Sequence, residues 1–171
     1  MKKFYLGALA VVMLCSTAKV FGQESKSGEA NLTVNLHQVQ NIVVESPDVN
    51  IDLTTAAEYN NGKSNMLDNH LLVNSTCNYQ INVKANRDLQ LAGPGNNTIP
   101  ISTVTLTPFD GDQAAGDGLA LSTSFQTFIS SNSGVLTKYY GVNYNVSGGN
   151  DYINKPEGAY TATITYTISA E

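Results

Sequence analysis

The chain has no tryptophan, only two cysteines and five prolines, and nine basic residues among 171. Each scarcity excludes something. Without tryptophan there is no indole platform, the best aromatic surface for stacking on a sugar ring. Nine basic against 14 acidic residues give a formal charge of −5. A domain of that sign repels phosphate backbones, so nucleic acid is not an expected partner. It also lacks the basic patch that holds a protein on an anionic membrane surface. The longest apolar run falls well short of the roughly 20 residues that span a bilayer as a helix, so no transmembrane segment is expected.

The first 22 residues carry a recognisable order. Lys2 and Lys3 are followed by the apolar run from Leu6 to Leu14. Small residues then offer cleavage after Ala18 or after Gly22. Charge, short apolar run and small residues make a secretory signal peptide, with the cut favoured after Gly22. The short Met-Lys-Lys start has a bacterial look. Cys15 lies inside the apolar run behind Leu14, not behind a small residue, and so reads as part of the leader and not as a lipid attachment point. Cleavage leaves Cys77 as the one cysteine, and no intrachain disulfide forms. It removes Lys2, Lys3 and Lys19, so 6 basic residues face 14 acidic ones, a net charge of −8. The expected product is a flexible polar stretch, 23–29, and a single domain over 30–171. A chain of this size buries enough surface to fold on its core alone. Its expected destination is the periplasm, cell surface or medium.

What is abundant is alternation. From Tyr160 to Ala170, Tyr160, Ala162, Ile164, Tyr166 and Ile168 point one way, and Thr161, Thr163, Thr165, Thr167 and Ser169 the other. Period two is a strand with one buried and one wet face. Threonine suits the wet face, because its branched Cβ favours extended backbone. The pattern recurs at Leu32, Val34 and Leu36. It shifts phase near His37-Gln38, as at a bulge, and resumes at Ile42 and Val44. Val49–Leu53, Tyr79–Val83, Ile101–Thr107 and Tyr140–Val146 repeat it. Turn formers separate the runs: Ser46-Pro47-Asp48, Asn60-Asn61-Gly62, Gly93-Pro94-Gly95 and Ser147-Gly148-Gly149-Asn150. The one helical candidate is Thr54–Tyr59. The fold class predicted is all-β, an immunoglobulin-like antiparallel β-sandwich of about eight strands.

Catalytic machinery is not visible. His37 falls on the wet phase of its strand and His70 in a loop-like stretch, Asp68-Asn69-His70. Neither has a cysteine or serine in a nucleophile setting, and no glycine-rich loop opens a helix to hold phosphate. Cys77 opens a strand and reads as a small half-buried apolar residue. No enzyme activity and no cofactor are expected. Asp48, Asn50 and Asp52 alternate as in a calcium loop, but Leu53 stands where glycine is required. Asp110, Asp112 and Asp117, in a glycine-rich loop, are the weak calcium candidates; solvated loops are commonly acidic anyway. Tyr139, out of phase with Tyr140 and Tyr144, and Tyr152, in a glycine-rich loop, are the candidate ligand-binding aromatics if both are exposed.

The stretch Gly158-Ala-Tyr160-Thr-Ala-Thr-Ile164-Thr-Tyr166-Thr-Ile168 resembles the closing strand of WxL-type cell-surface domains. It is also similar to that of spore-coat-U-type and related fimbrial subunits. Tyr166-Thr167-Ile168 stands at the second Trp-x-Leu position and Cys77-Asn78-Tyr79-Gln80-Ile81 at the first, with no tryptophan at either. The resemblance implies an immunoglobulin-like sandwich on or near a bacterial surface. The expected function is therefore a non-catalytic, secreted binding or structural module of the cell envelope, with a cell-wall or surface component, or another copy of itself, as partner. The alternatives are a pilus or surface-fibre subunit active in adhesion and a calcium- or carbohydrate-binding domain. In the fibre reading Ala30–Leu36 is the segment able to be lent to a neighbour as a strand, which leaves the subunit without its own first strand.

Overall fold

The computed structural model describes residues 26–93 and 95–171. The expected leader lies outside the described residues. The described residues fall into two units, divided between Asn35 and Leu36. Of the first, residues 26–35 are described, and they form neither helix nor strand. The second unit holds, in chain order, β1 Gln40–Val44, α1 Ala56–Asn61, β2 Lys63–Ser75, β3 Tyr79–Ala85, β4 Leu89–Leu91 and β5 Thr98–Ile99. After a 3-10 turn at Ile101–Thr103 come β6 Val104–Asp110, β7 Gln113–Ala114, β8 Leu119–Ala120, β9 Gln126–Ser131, β10 Val135–Val146, β11 Tyr160–Thr161 and β12 Ile164–Ala170.

The fold is an all-β antiparallel sandwich. One sheet has the order β1-β2-β10-β6-β7, with β8 also on β6; the second is β12-β3-β9; a small third is β11-β4-β5. Alternation explains the layers. Tyr79, Ile81, Val83 and Ala85 of β3 are all buried, while the residues between them are only partly so. Leu71 and Val73 of β2, Leu106 of β6, and Tyr140, Val142, Tyr144 and Val146 of β10 face them from the first sheet. Burying each aliphatic side chain contributes roughly 1.5–3 kcal/mol. Two polar links cross this interior. Tyr79 Oη and Tyr140 Oη are 2.7 Å apart, and a His70–Tyr144–Tyr166 chain joins β2, β10 and β12.

The helix is short and capped. Thr55 Oγ1 accepts from the Glu58 N–H at 3.2 Å, and Glu58 Oε2 accepts from the Thr55 N–H at 3.0 Å. These two bonds make a capping box. Lys63, and the backbone and hydroxyl of Thr54, hold the Glu58 carboxyl down to about 2. Thr55→Ala is expected to cost about 1 kcal/mol, read as a melting temperature lower by roughly 3 °C. An unchanged melt would mean that tertiary packing alone holds α1.

Three expectations are corrected. Leu32–Leu36 does not form a strand: pairing begins only at Val39, whose N–H donates to Thr76 Oγ1 at 2.9 Å. Val49, Ile51 and Leu53 are half-buried in the expected alternation, yet no ladder includes them. Side chains of β2 hold that segment instead: Lys63 Nζ donates to Asp52 O and Asn65 Nδ2 to Asn50 O. The closing run keeps its phase but breaks at Ala162-Thr163. There the Thr163 N–H donates to Asn86 Oδ1, and β11 and β12 join different sheets.

Candidate functional site

The alternating segment Ala30–Leu36 leaves large aliphatic side chains in water. Leu32 is 88%, Val34 68% and Leu36 89% exposed. Each large aliphatic group left in water forgoes roughly 1.5–3 kcal/mol of burial. Asn31, Thr33 and Asn35 alternate with them, so in extended form one side of the segment is apolar and the other polar. The sequence is that of a half-buried strand, and it has no ladder partner among the described residues.

A second feature lies at the far end of the chain. Among the described residues β12 ends its sheet and pairs only with β3, through seven uninterrupted residue pairs from Ile164↔Ala85 to Ala170↔Tyr79. Ile164, Tyr166 and Ile168 pack on the core but stay half-exposed, whereas Ile81 and Val83 beside them are fully buried. Burial therefore falls off toward the edge, and the other edge of β12 offers a row of unpaired backbone groups. β1, at the margin of the facing sheet, approaches β12 across the sandwich.

The residues singled out from sequence do not form one site. Tyr139, on β10, is 40% exposed and stands in a row with Leu72 and Val43 on three neighbouring strands. Tyr152 is not exposed: at 8% it belongs to the core, and its hydroxyl lies 2.8 Å from Thr103 Oγ1. The glycine-rich loop folds inward at this point because Tyr152 caps the end of the sandwich. Tyr139 and Tyr152 thus lie toward opposite ends of β10. Asp110 pairs with Lys138. Asp112 sits in the β6–β7 turn and, with Asp68 and Asn143, lines an open depression of about 410 Å³. Asp117 lies apart in the loop before β8. Among the described residues, no three carboxylate, imidazole or thiol groups gather closely enough to hold a metal. His37 is exposed, and Cys77 is half-buried beside Ser75 and Gln40.

His70 was misplaced by sequence. It lies on β2, 1% exposed, with Nε2 2.8 Å from Tyr144 Oη, which is 2.7 Å from Tyr166 Oη. Its Nδ1 is buried and has no hydrogen-bond partner among the described residues. Burial lowers the imidazole pKa below its ordinary 6.5 and raises Tyr144 to about 12 and Tyr166 well above its ordinary range. A buried neutral imidazole bonded to the Tyr144 phenol, which is bonded in turn to the Tyr166 phenol, is structural polar packing. No family model matches the chain, and no curated protein matches it.

Proposed function

We propose that the protein is an exported, non-catalytic structural module of the bacterial cell envelope that works by associating with copies of itself, as the subunit of a surface fibre. The supporting observation is the exposed alternating segment Ala30–Leu36, which has a strand's sequence and no strand partner among the described residues. A sheet edge on another molecule is the surface that satisfies both its apolar row and its backbone groups. A segment lent onward to the next identical chain, and not returned, makes a heterologous, head-to-tail contact, which extends into a filament wherever the rotation does not close a ring.

Sedimentation of the processed chain over a concentration series, with electron microscopy of concentrated protein and of producing cells, tests this. Concentration-dependent oligomers and fibres are expected. Monomers at every concentration, and bare cells, would contradict it.

A second reading, attachment to a cell-wall component, is favoured by the Val43–Leu72–Tyr139 row on the outer face of the large sheet. Here Tyr139→Ala lowers the fraction pulled down with purified wall severalfold. Retention of all the unmodified protein in the supernatant would end that reading.

A further inference from the structure

We infer that the acceptor of the lent segment is the outer edge of β12 on a second copy of this chain, with Leu32, Val34 and Leu36 seated beside Ile164, Tyr166 and Ile168. The inference rests on the self-association reading above and names its partner surface.

Length and phase agree. Ala30–Leu36 and Ile164–Ala170 are both seven residues long, and both alternate apolar with small polar residues. A strand added beside β12 continues the period-two pattern: its apolar side chains extend the row that runs from Ile168 to Ile81 to Ile129 across the second sheet. Asn31, Thr33 and Asn35 then join Thr165 and Thr167 on the wet face. The added strand lies on the side where β1 of the facing sheet approaches, so it covers the seam between the two sheets.

The other edge of the second sheet fits less well. β9 meets β3 through a register shift between Ile81 and Asn82, and its Phe128 and Ile129 are already buried. A bulge twists an edge away from pairing. β12 has no bulge, no proline and no charged residue, the devices that ordinarily protect an edge.

Two variants separate donor from acceptor. Val34→Lys spoils the lent segment, and Ile168→Lys places a charge on the inward face of the β12 edge. Each alone is expected to sediment as a monomer. Mixed in equal amounts, they are expected to form a heterodimer and nothing larger, because Ile168→Lys still donates and Val34→Lys still accepts. Ile164→Lys, at the other end of the same edge, repeats the acceptor test, and near-UV circular dichroism checks that each variant retains native packing. In the unmodified chain, amide exchange along β12 is expected to slow on assembly, a readout free of any substitution. If Ile168→Lys and Ile164→Lys assemble alone as the unmodified protein does, or the β12 amides exchange equally fast in both states, the acceptor lies elsewhere, while self-association stands. If the unmodified chain never assembles, the proposed function itself fails.

Discussion

Gly62→Ala is expected to lower the melting temperature by roughly 10 °C, the equivalent of about 3 kcal/mol in a domain of this size. Gly62 ends α1 with φ +80 and ψ −176, a backbone region that is essentially reserved for glycine. An added Cβ would stand 2.0 Å from the carbonyl oxygen of Val146 and 2.8 Å from the backbone of Ser147. Neither is a flexible side-chain end able to swing away. Both belong to the exit of β10, which the sandwich holds fixed. The loop beyond is equally tight: Gly148, at φ +67, would place a Cβ 2.5 Å from Gly62 N. Two glycine backbones therefore pack directly on each other, and the Gly149 N–H donates to Tyr59 O at 2.7 Å. Gly111→Ala is the control. Its φ is +59, but nothing lies within 4 Å of its Cβ position, so it loses only the conformational cost, about 1–2 kcal/mol. Equal melting shifts for the two variants would mean that the Gly62–Val146 contact is not close.

Acid is expected to destabilise the sandwich through His70. The folded state holds its imidazole below the ordinary value of 6.5 because burial penalises the cation. Protonation would also leave an Nδ1–H donor buried without an acceptor, since Nε2 is already engaged with Tyr144. Tyr144 from β10 and Tyr166 from β12 set their rings against His70, and both are neutral at these pH values. A depressed folded pKa gives stability that is complete above the unfolded value and is lost as pH falls through the folded one. The loss therefore begins near pH 6.5 and deepens below it, with a limiting slope of about 1.4 kcal/mol per pH unit for one proton. Glu58 acts later. Its folded pKa of about 2 lies below its ordinary 4.5, so its contribution is lost only below pH 4.5. Urea melts from pH 7.5 to 5 measure the effect, and His70→Gln flattens the curve between 6.5 and 5. A flat curve for the unmodified protein over that range would contradict the buried neutral imidazole.

Much of the sandwich was legible because a strand with one wet face writes itself as alternation. β3, the later half of β10 and the closing run all show their phase in the sequence. β2 did not, and the reason is geometric. Tyr140 pairs with Leu71 and Val142 with Leu67, so three residues of β2 oppose the single residue Gly141. Asn69 takes φ +53 within that bulge. The bulge resets the phase, buries His70 and Leu71 in succession and gives Asp68-Asn69-His70 the look of a loop. Gly141 is the residue that stands opposite this bulge. β9 hides in the same way, with Phe128 and Ile129 both buried. Tyr152 was misjudged because glycine-rich loops are usually exposed, and no local signal shows its hydroxyl reaching Thr103. The candidate site was half legible. Alternation marked both Ala30–Leu36 and Ile164–Ala170 as strands, but only the sheet order shows that, among the described residues, one lacks a partner and the other lies at an edge.

Limited proteolysis after Leu32 and Leu36, across a dilution series of the processed protein, reports whether the Ala30–Leu36 segment is free or taken up by a neighbour. Rapid cleavage in dilute solution, and protection that grows with concentration as the segment is taken up by a neighbour, is the expected result. Protection that persists unchanged at the highest dilution would show that Ala30–Leu36 is already paired within its own chain, and would contradict assembly by a lent strand.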